Sequence, residues 1–439
     1  MKPRVWAGIF FLVSAAVYSA NMRVVGAGDC WAVRYVPVSI LREGNLDLNE
    51  FPEVKFQVWD WTRGRKFRIP LQPVVAGIAA VPVFAAADLL GVPFTPVNIA
   101  YLGKGAATLC SAAAAACCLL LLWRLLPPAG AVLYTAVFAF GTCVWSVSSQ
   151  DLWQHGLSHF LLTAALLCLF SASGRRSRAG LSGFFLAWAA VVRGMNIPLA
   201  AFLFLYLCLE YRDQVLPFVL WSLPALGYTL AFNFYYFGAP GNAIIGYALG
   251  KFSPAGAPGA LAGLLFSPAR GLLFFTPVFV FSFYGAWRGW SAPSPFRTLY
   301  RFLAAAAGAY VLFLSAWFMW WGGHCYGYRM LVDLVPILIV LMVPAWRLLS
   351  GSAGFRLLFA VLLAWSVFLQ GAGALYYGDR WNGRRHIDRH PERLWWVRGG
   401  QIDYMLAKAR ERGWRVERRV LLPEGQRARP DRIPEGAGP

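Results

Sequence analysis

The chain has 439 residues, of which 59% are hydrophobic and only 14% charged, whereas about a quarter of a typical soluble domain is charged. So few charges cannot build a water-facing surface, which excludes a soluble globular protein. A formal net charge of +20 would suit nucleic-acid binding, but the arginines are dispersed among apolar runs and no nucleic-acid motif is present. Anionic head groups and phosphorylated lipids are the nearer partners.

Apolar runs able to cross a bilayer, which takes about 20 helical residues, lie near 5–22, 70–91, 98–123, 129–148, 156–172, 180–195, 197–210, 215–237, 271–287, 300–320, 331–349 and 355–376. Their Ala/Leu/Phe/Gly composition fits helices better than the alternating pattern of a membrane barrel. The predicted fold is all-α, a polytopic transmembrane bundle of about 11–13 spans. Residues 1–377 form this domain, and 378–439 a polar tail whose Pro/Gly-rich end is expected to be disordered. The tail also predicts a helix around Ile402 to Arg412.

Lys2 and Arg4 before the first run place that end in the cytoplasm, so the stretch 23–69 faces outward. Arg175, Arg176 and Arg178, then Arg212, Arg288 to Arg301, and Arg347 with Arg356 mark cytoplasmic loops. Segments 149–156, 193–196, 238–270, 321–329 and the tail then share the outer face. The crossing parity depends on 70–91, which Pro70, Pro73 and Pro82 interrupt. Arginines outside the cytoplasm run against the usual bias, and an anionic ligand would compensate them.

In chain order, the first polar motif is GAGDCWAVRYVPVSILREGNLDL, whose Asp29 stands just beyond the first span. A carboxylate at the mouth of a bundle can act as a general base; otherwise it is a solvated loop acid or a helix cap. In WDWTRGRKFRIPLQP, Arg63 and Arg65 suit phosphate oxygens or acidic head groups, and Asp60 is a second acid. In SQDLWQHGLSH, Asp151, His155 and His159 recur every four residues and would line one helix face. They could bind substrate, hold a metal, or merely pack as polar groups.

Arg193 in AVVRGMNIP requires an anionic partner, either a head group or a substrate phosphate. The Gly/Pro-rich stretch 238–270 reads as a long loop that folds over something, with Arg270 at its end. In WFMWWGGHCYGYRMLVDLVP, Trp320, His324 and Tyr326 offer the aromatic faces and hydrogen-bonding groups that a sugar ring requires, although tryptophans also anchor membrane interfaces. Arg329 and Asp333 stand four apart, at ion-pair spacing. The eight cysteines show no zinc or haem spacing.

The order of Asp29, RIPLQP, QDLWQHG, NFYYFGAPGN, LFSPARGLLFFTP and WWGGHCYGYRMLVDLVP along the chain resembles the integral-membrane glycosyltransferases of the GT-C superfamily, over roughly residues 1–376. These include protein O-mannosyltransferases and lipid A aminoarabinose transferases, which take polyprenyl-phosphate sugars as donors. The resemblance implies that Asp29 is the base and that Arg270, Arg329 and Arg193 meet the leaving phosphate. The acceptor would be a glycan, lipid or protein, reached on the periplasmic or exterior side of a bacterial inner or plasma membrane. The first loop has no DxD pair, so no metal cofactor is expected. A surface-glycan ligase or polymerase shares this chemistry; a lipid-linked transporter or flippase should instead show paired halves.

Overall fold

The computed structural model describes residues 2–55, 57–171, 176–291 and 293–422. Among these residues, five helices are long and apolar enough to cross a membrane: Pro96–Leu122, Arg212–Phe237, Arg297–Ser315, Arg329–Gly351 and Ala353–Tyr376. Shorter apolar helices accompany them at Pro3–Ser19, Val75–Leu89, Pro128–Phe140, Gln154–Leu169, Arg178–Val192, Gly194–Glu210 and Pro254–Phe266. The chain is thus an all-α membrane bundle. Helix starts follow local chemistry. Thr95 caps Pro96–Leu122 by accepting from the Asn98 amide at 3.2 Å, and Pro96 occupies the first turn, where an N–H would be unsatisfied.

Several stretches differ from the sequence-based reading. Residues 238–270 are not a plain loop, for they contain the helices Ala243–Leu249 and Ala257–Phe266. Pro258 lies in the first turn of the second of these and starts the helix instead of breaking it. Conversely, the run 271–287 is interrupted: a short helix Leu272–Phe275 ends at Thr276, Pro277 opens a 3-10 turn, and Val280–Ser291 follows. The stretch 70–91 forms one helix, Val75–Leu89, which contains Pro82.

The first long loop carries the short helices Gly28–Trp31 and Val36–Glu43 and an unforeseen antiparallel hairpin, Val58–Arg63 with Arg65–Pro70. Trp59, Trp61, Phe67 and Ile69 give the hairpin its β preference, and Phe67 and Ile69 bury against Tyr236 and Phe237. Only 11% of the apolar window of Arg212–Phe237 is buried, and its Leu216, Leu220, Trp221 and Leu223 are exposed on the outside of the bundle.

The stretch after the last long helix folds back onto the bundle through Arg380–Arg384, Pro391–Trp395 and Gln401–Glu411. Val420 then forms a parallel bridge with Val24. Residues 423–439, where the disordered end is expected, and Arg175 lie outside the described residues.

Candidate functional site

Segments far apart in sequence meet at one end of the bundle. Asp29, on the short helix Gly28–Trp31, forms an ion pair with Arg329, 300 positions away. Arg329 also donates to the Gly322 carbonyl at 3.1 Å and lies over the Trp153 ring at 4.3 Å, a stacked cation contact that fixes its plane. Asp29 is 24% exposed and Arg329 13%, so this pair is partly open at the surface. The sequence spacing predicted Arg329 with Asp333 instead. That expectation fails because Arg329–Leu334 is 3-10 helical, where residues four apart diverge.

Asp333 is taken by Arg193, which reaches it across the bundle as a buried ion pair. The anionic partner that Arg193 requires is therefore a protein carboxylate. Its guanidinium also meets His155 Nδ1 at 3.3 Å and the Tyr310 hydroxyl at 3.3 Å. His155 lies 3.6 Å from Asp333, and His159 Nε2 meets the Val332 carbonyl at 2.8 Å. The two histidines do share a face of Gln154–Leu169, as their spacing implies. Trp153, with its ring 5.9 Å from His155, joins this buried layer to Arg329 above it.

Asp151 does not belong to that face, because the helix begins three residues later. It forms an ion pair with Arg34, whose Nε donates at 2.7 Å, and both groups are withdrawn from solvent at 0% and 1% exposure. Burial disfavours the Arg34 charge, but Asp151 more than offsets this and holds its pKa above the ordinary arginine value. Gly26 allows the approach: a Cβ there would coincide with the Asp151 carboxylate. Next to this pair, Lys104 donates to the Arg23 carbonyl at 2.5 Å, and Arg23 donates to the Tyr377 carbonyl at 2.6 Å. Burial, then the nearby Arg419, pushes Arg23 down to about 10.

Arg270 is buried and clamps the roof. Its Nε donates to the Trp321 carbonyl, Nη1 to Ala269 and Gln401, and Nη2 to Gly323 and Asn382, at 2.8–3.1 Å. All five donors are thus engaged by neutral acceptors, which leaves none for the phosphate contact expected of it. Tyr326 is also committed: it is buried, and its hydroxyl donates to the Leu369 carbonyl at 2.6 Å. Trp320 packs edge-on to Trp321 and over Gly263. Neither is an open sugar platform.

His324 Nδ1 meets Asp379 at 2.8 Å. Burial alone would lower its pKa, but the Asp379 hydrogen bond and charge raise it above the ordinary histidine value. In the hairpin, Arg63 donates to the Phe234 carbonyl at 2.7 Å and Arg65 to the Tyr235 hydroxyl at 2.8 Å. Asp60 lies 3.4 Å from Arg68 and 3.6 Å from Lys66. Arg63 and Arg65 hold the hairpin to the end of Val215–Phe237, whereas Asp60 joins its two strands.

The sequence reading missed Lys104 and the roof residues Asp379, Asn382 and Gln401, and it did not pair Arg34 with Asp151. Lys104 carried a signal, as a lone charge inside an apolar run; the roof residues become visible only once the tail is placed. Through Asn382, which also donates to the Tyr377 hydroxyl at 2.8 Å, the roof adjoins a small surface depression. Tyr377, Arg380, Trp381, Lys408, Arg412 and Arg419 line it.

No protein-family model matches the chain, and no curated protein sequence does. Solved structures do. ArnT from Cupriavidus metallidurans bound to undecaprenyl phosphate shares 12% identity at a TM-score of 0.52, over 92% of this chain and 76% of that one. The oligosaccharyltransferase AglB from Archaeoglobus fulgidus, in complex with an inhibitory peptide and a dolichol-phosphate, gives 13% and 0.46, over 94% of this chain and 60% of that one. The chain thus spans only part of the archaeal protein's length. The likeness to ArnT shows a shared fold.

Proposed function

We propose that the chain is an integral-membrane glycosyltransferase. It moves a sugar from a polyprenyl-phosphate donor to an acceptor on the non-cytoplasmic side of a bacterial inner or plasma membrane, with Asp29 as general base. The observation that carries this reading is the partly open pairing of Asp29 with Arg329, a carboxylate and a guanidinium side by side at the mouth of the bundle. ArnT, whose fold is shared, was captured with undecaprenyl phosphate, and we take the same chemical class as carrier here.

In the transfer, Asp29 takes the proton of an acceptor hydroxyl as its oxygen attacks the anomeric carbon. The bond from that carbon to the phosphate oxygen breaks, and its electron pair leaves with the lipid phosphate. A fixed guanidinium is suited to that charge because two donors meet two phosphate oxygens in one plane. Arg329 is the group available for this role. An arriving phosphate competes with Asp29 for Arg329, so donor binding frees the carboxylate for the acceptor. Arg193 supports from below by fixing Asp333 and His155, and Arg270 by holding the roof.

The test offers a labelled polyprenyl-phosphate sugar to purified protein and compares the parent with Asp29→Asn and Arg329→Ala. Loss of a general base lowers turnover by about 10²–10⁴-fold, and loss of the arginine raises the donor KM. Equal turnover by parent and Asp29→Asn would remove Asp29 as base.

A further inference from the structure

We propose that the roof carries a divalent-cation site, best suited to zinc, formed by His324, His386 and Asp388. One nitrogen or oxygen atom from each of these side chains lies within 4.8 Å of the other two. The site is separate from the Asp29–Arg329 pair, and the proposal does not rest on the glycosyltransfer reading.

The ligand atoms can be assigned from what their neighbours occupy. His324 Nδ1 is held by Asp379 at 2.8 Å, while its Nε2 is buried and has no hydrogen-bond partner among the described residues. A buried imidazole nitrogen left unpaired is costly, and a metal ion would satisfy it. Asp388 accepts the Trp321 indole N–H on Oδ1 at 2.7 Å. Its Oδ2 accepts no hydrogen bond among the described residues and lies 3.6 Å from His386 Nδ1. Two of the three ligands therefore have the outer partners that metal-binding residues use, an acid behind the histidine and a donor behind the carboxylate.

Two histidines and a carboxylate are a common zinc set with an open fourth position. Tetrahedral bonds of about 2.0–2.1 Å place ligand atoms about 3.3 Å apart, close to the 3.6 Å already present. His386 is half exposed, so a rotation of its side chain closes the remaining gap. His324 is delivered by a tight turn in which Gly322 and Gly323 both take positive φ, +72° and +64°, conformations that glycine adopts freely. His386 and Asp388 come from the returning C-terminal segment. The ion would therefore fasten the turn before Arg329 to the tail, in parallel with the Arg270 clamp.

The experiment uses the full-length protein in detergent, stripped with a chelator and titrated with Zn²⁺ alone. Bound metal is measured by elemental analysis, and the thermal midpoint is followed in the same samples. Co²⁺ is added separately to read coordination from its visible absorption. The parent should bind one equivalent, rise in Tm and give a four-coordinate Co²⁺ spectrum. His386→Ala and Asp388→Asn should bind none and show no metal-dependent rise, while melting with the stripped parent. Asp379→Asn should keep the site but weaken it about 10–100-fold. No binding by the parent, or equal binding by parent and both ligand variants, would overturn the proposal.

Discussion

Asp151 offers the sharpest test of the buried electrostatics, because substitution by Asn changes its charge but hardly its shape. In the native fold Arg34 is 1% exposed and gives its Nε, at 2.7 Å, and one terminal nitrogen to this carboxylate. Its other terminal nitrogen meets the Leu421 carbonyl at 3.2 Å. Asp151→Asn leaves a buried guanidinium facing a neutral amide, and losing one partner of a buried pair costs about 3–5 kcal/mol. Replacing both partners with apolar side chains removes the uncompensated charge, so Arg34→Met with Asp151→Leu should lie within about 1 kcal/mol of the parent. Equilibrium unfolding in mixed micelles compares the parent, Asp151→Asn, the singles Arg34→Met and Asp151→Leu, and their double. A loss below about 1 kcal/mol for Asp151→Asn, or a double variant as unstable as the sum of the singles, would refute the assignment of this pair as a structural lock.

Gly26→Ala should reproduce the Asp151→Asn loss, since its Cβ falls on the carboxylate; an unchanged thermal midpoint would count against that close approach. Arg329→Lys should keep the charge but lose the planar stacking on Trp153, so donor KM should rise more than kcat falls. Tyr326→Phe should cost about 1 kcal/mol of stability through its lost bond to Leu369 and leave the donor KM unchanged; a large KM effect would restore it to the sugar site. Asp47 is buried in the first loop, which raises its pKa. The stability it contributes is therefore present at acid pH and is lost as pH rises through its folded value. Asp47→Asn should melt above the parent at pH 7 and level with it below about pH 4, and a pH-independent difference would contradict the burial argument.

The bundle was legible in the sequence because lipid imposes long uninterrupted apolar helices, and most runs became helices at the expected places. The hairpin was not, since its strands lie among arginines and a loop reading absorbed them. In the site, the position of Asp29 and Arg329 at one mouth followed from loop charge and parity, but their pairing did not. Spacing rules describe neighbours on one helix, and here Asp333 chose Arg193 and Asp151 chose Arg34, partners set by packing across the bundle. Arg270 shows the same limit: its position next to a span suggested a phosphate ligand, whereas its surroundings engage every donor within the protein.

The bridge of Val420 to Val24 and the bond from Arg34 to Leu421 set an order of events during biosynthesis. The ribosome delivers the opening loop hundreds of residues before the stretch that seals it, and chains acquire structure from the N-terminus onward. These contacts between the opening loop and the returning segment therefore form only after translation has passed residue 421.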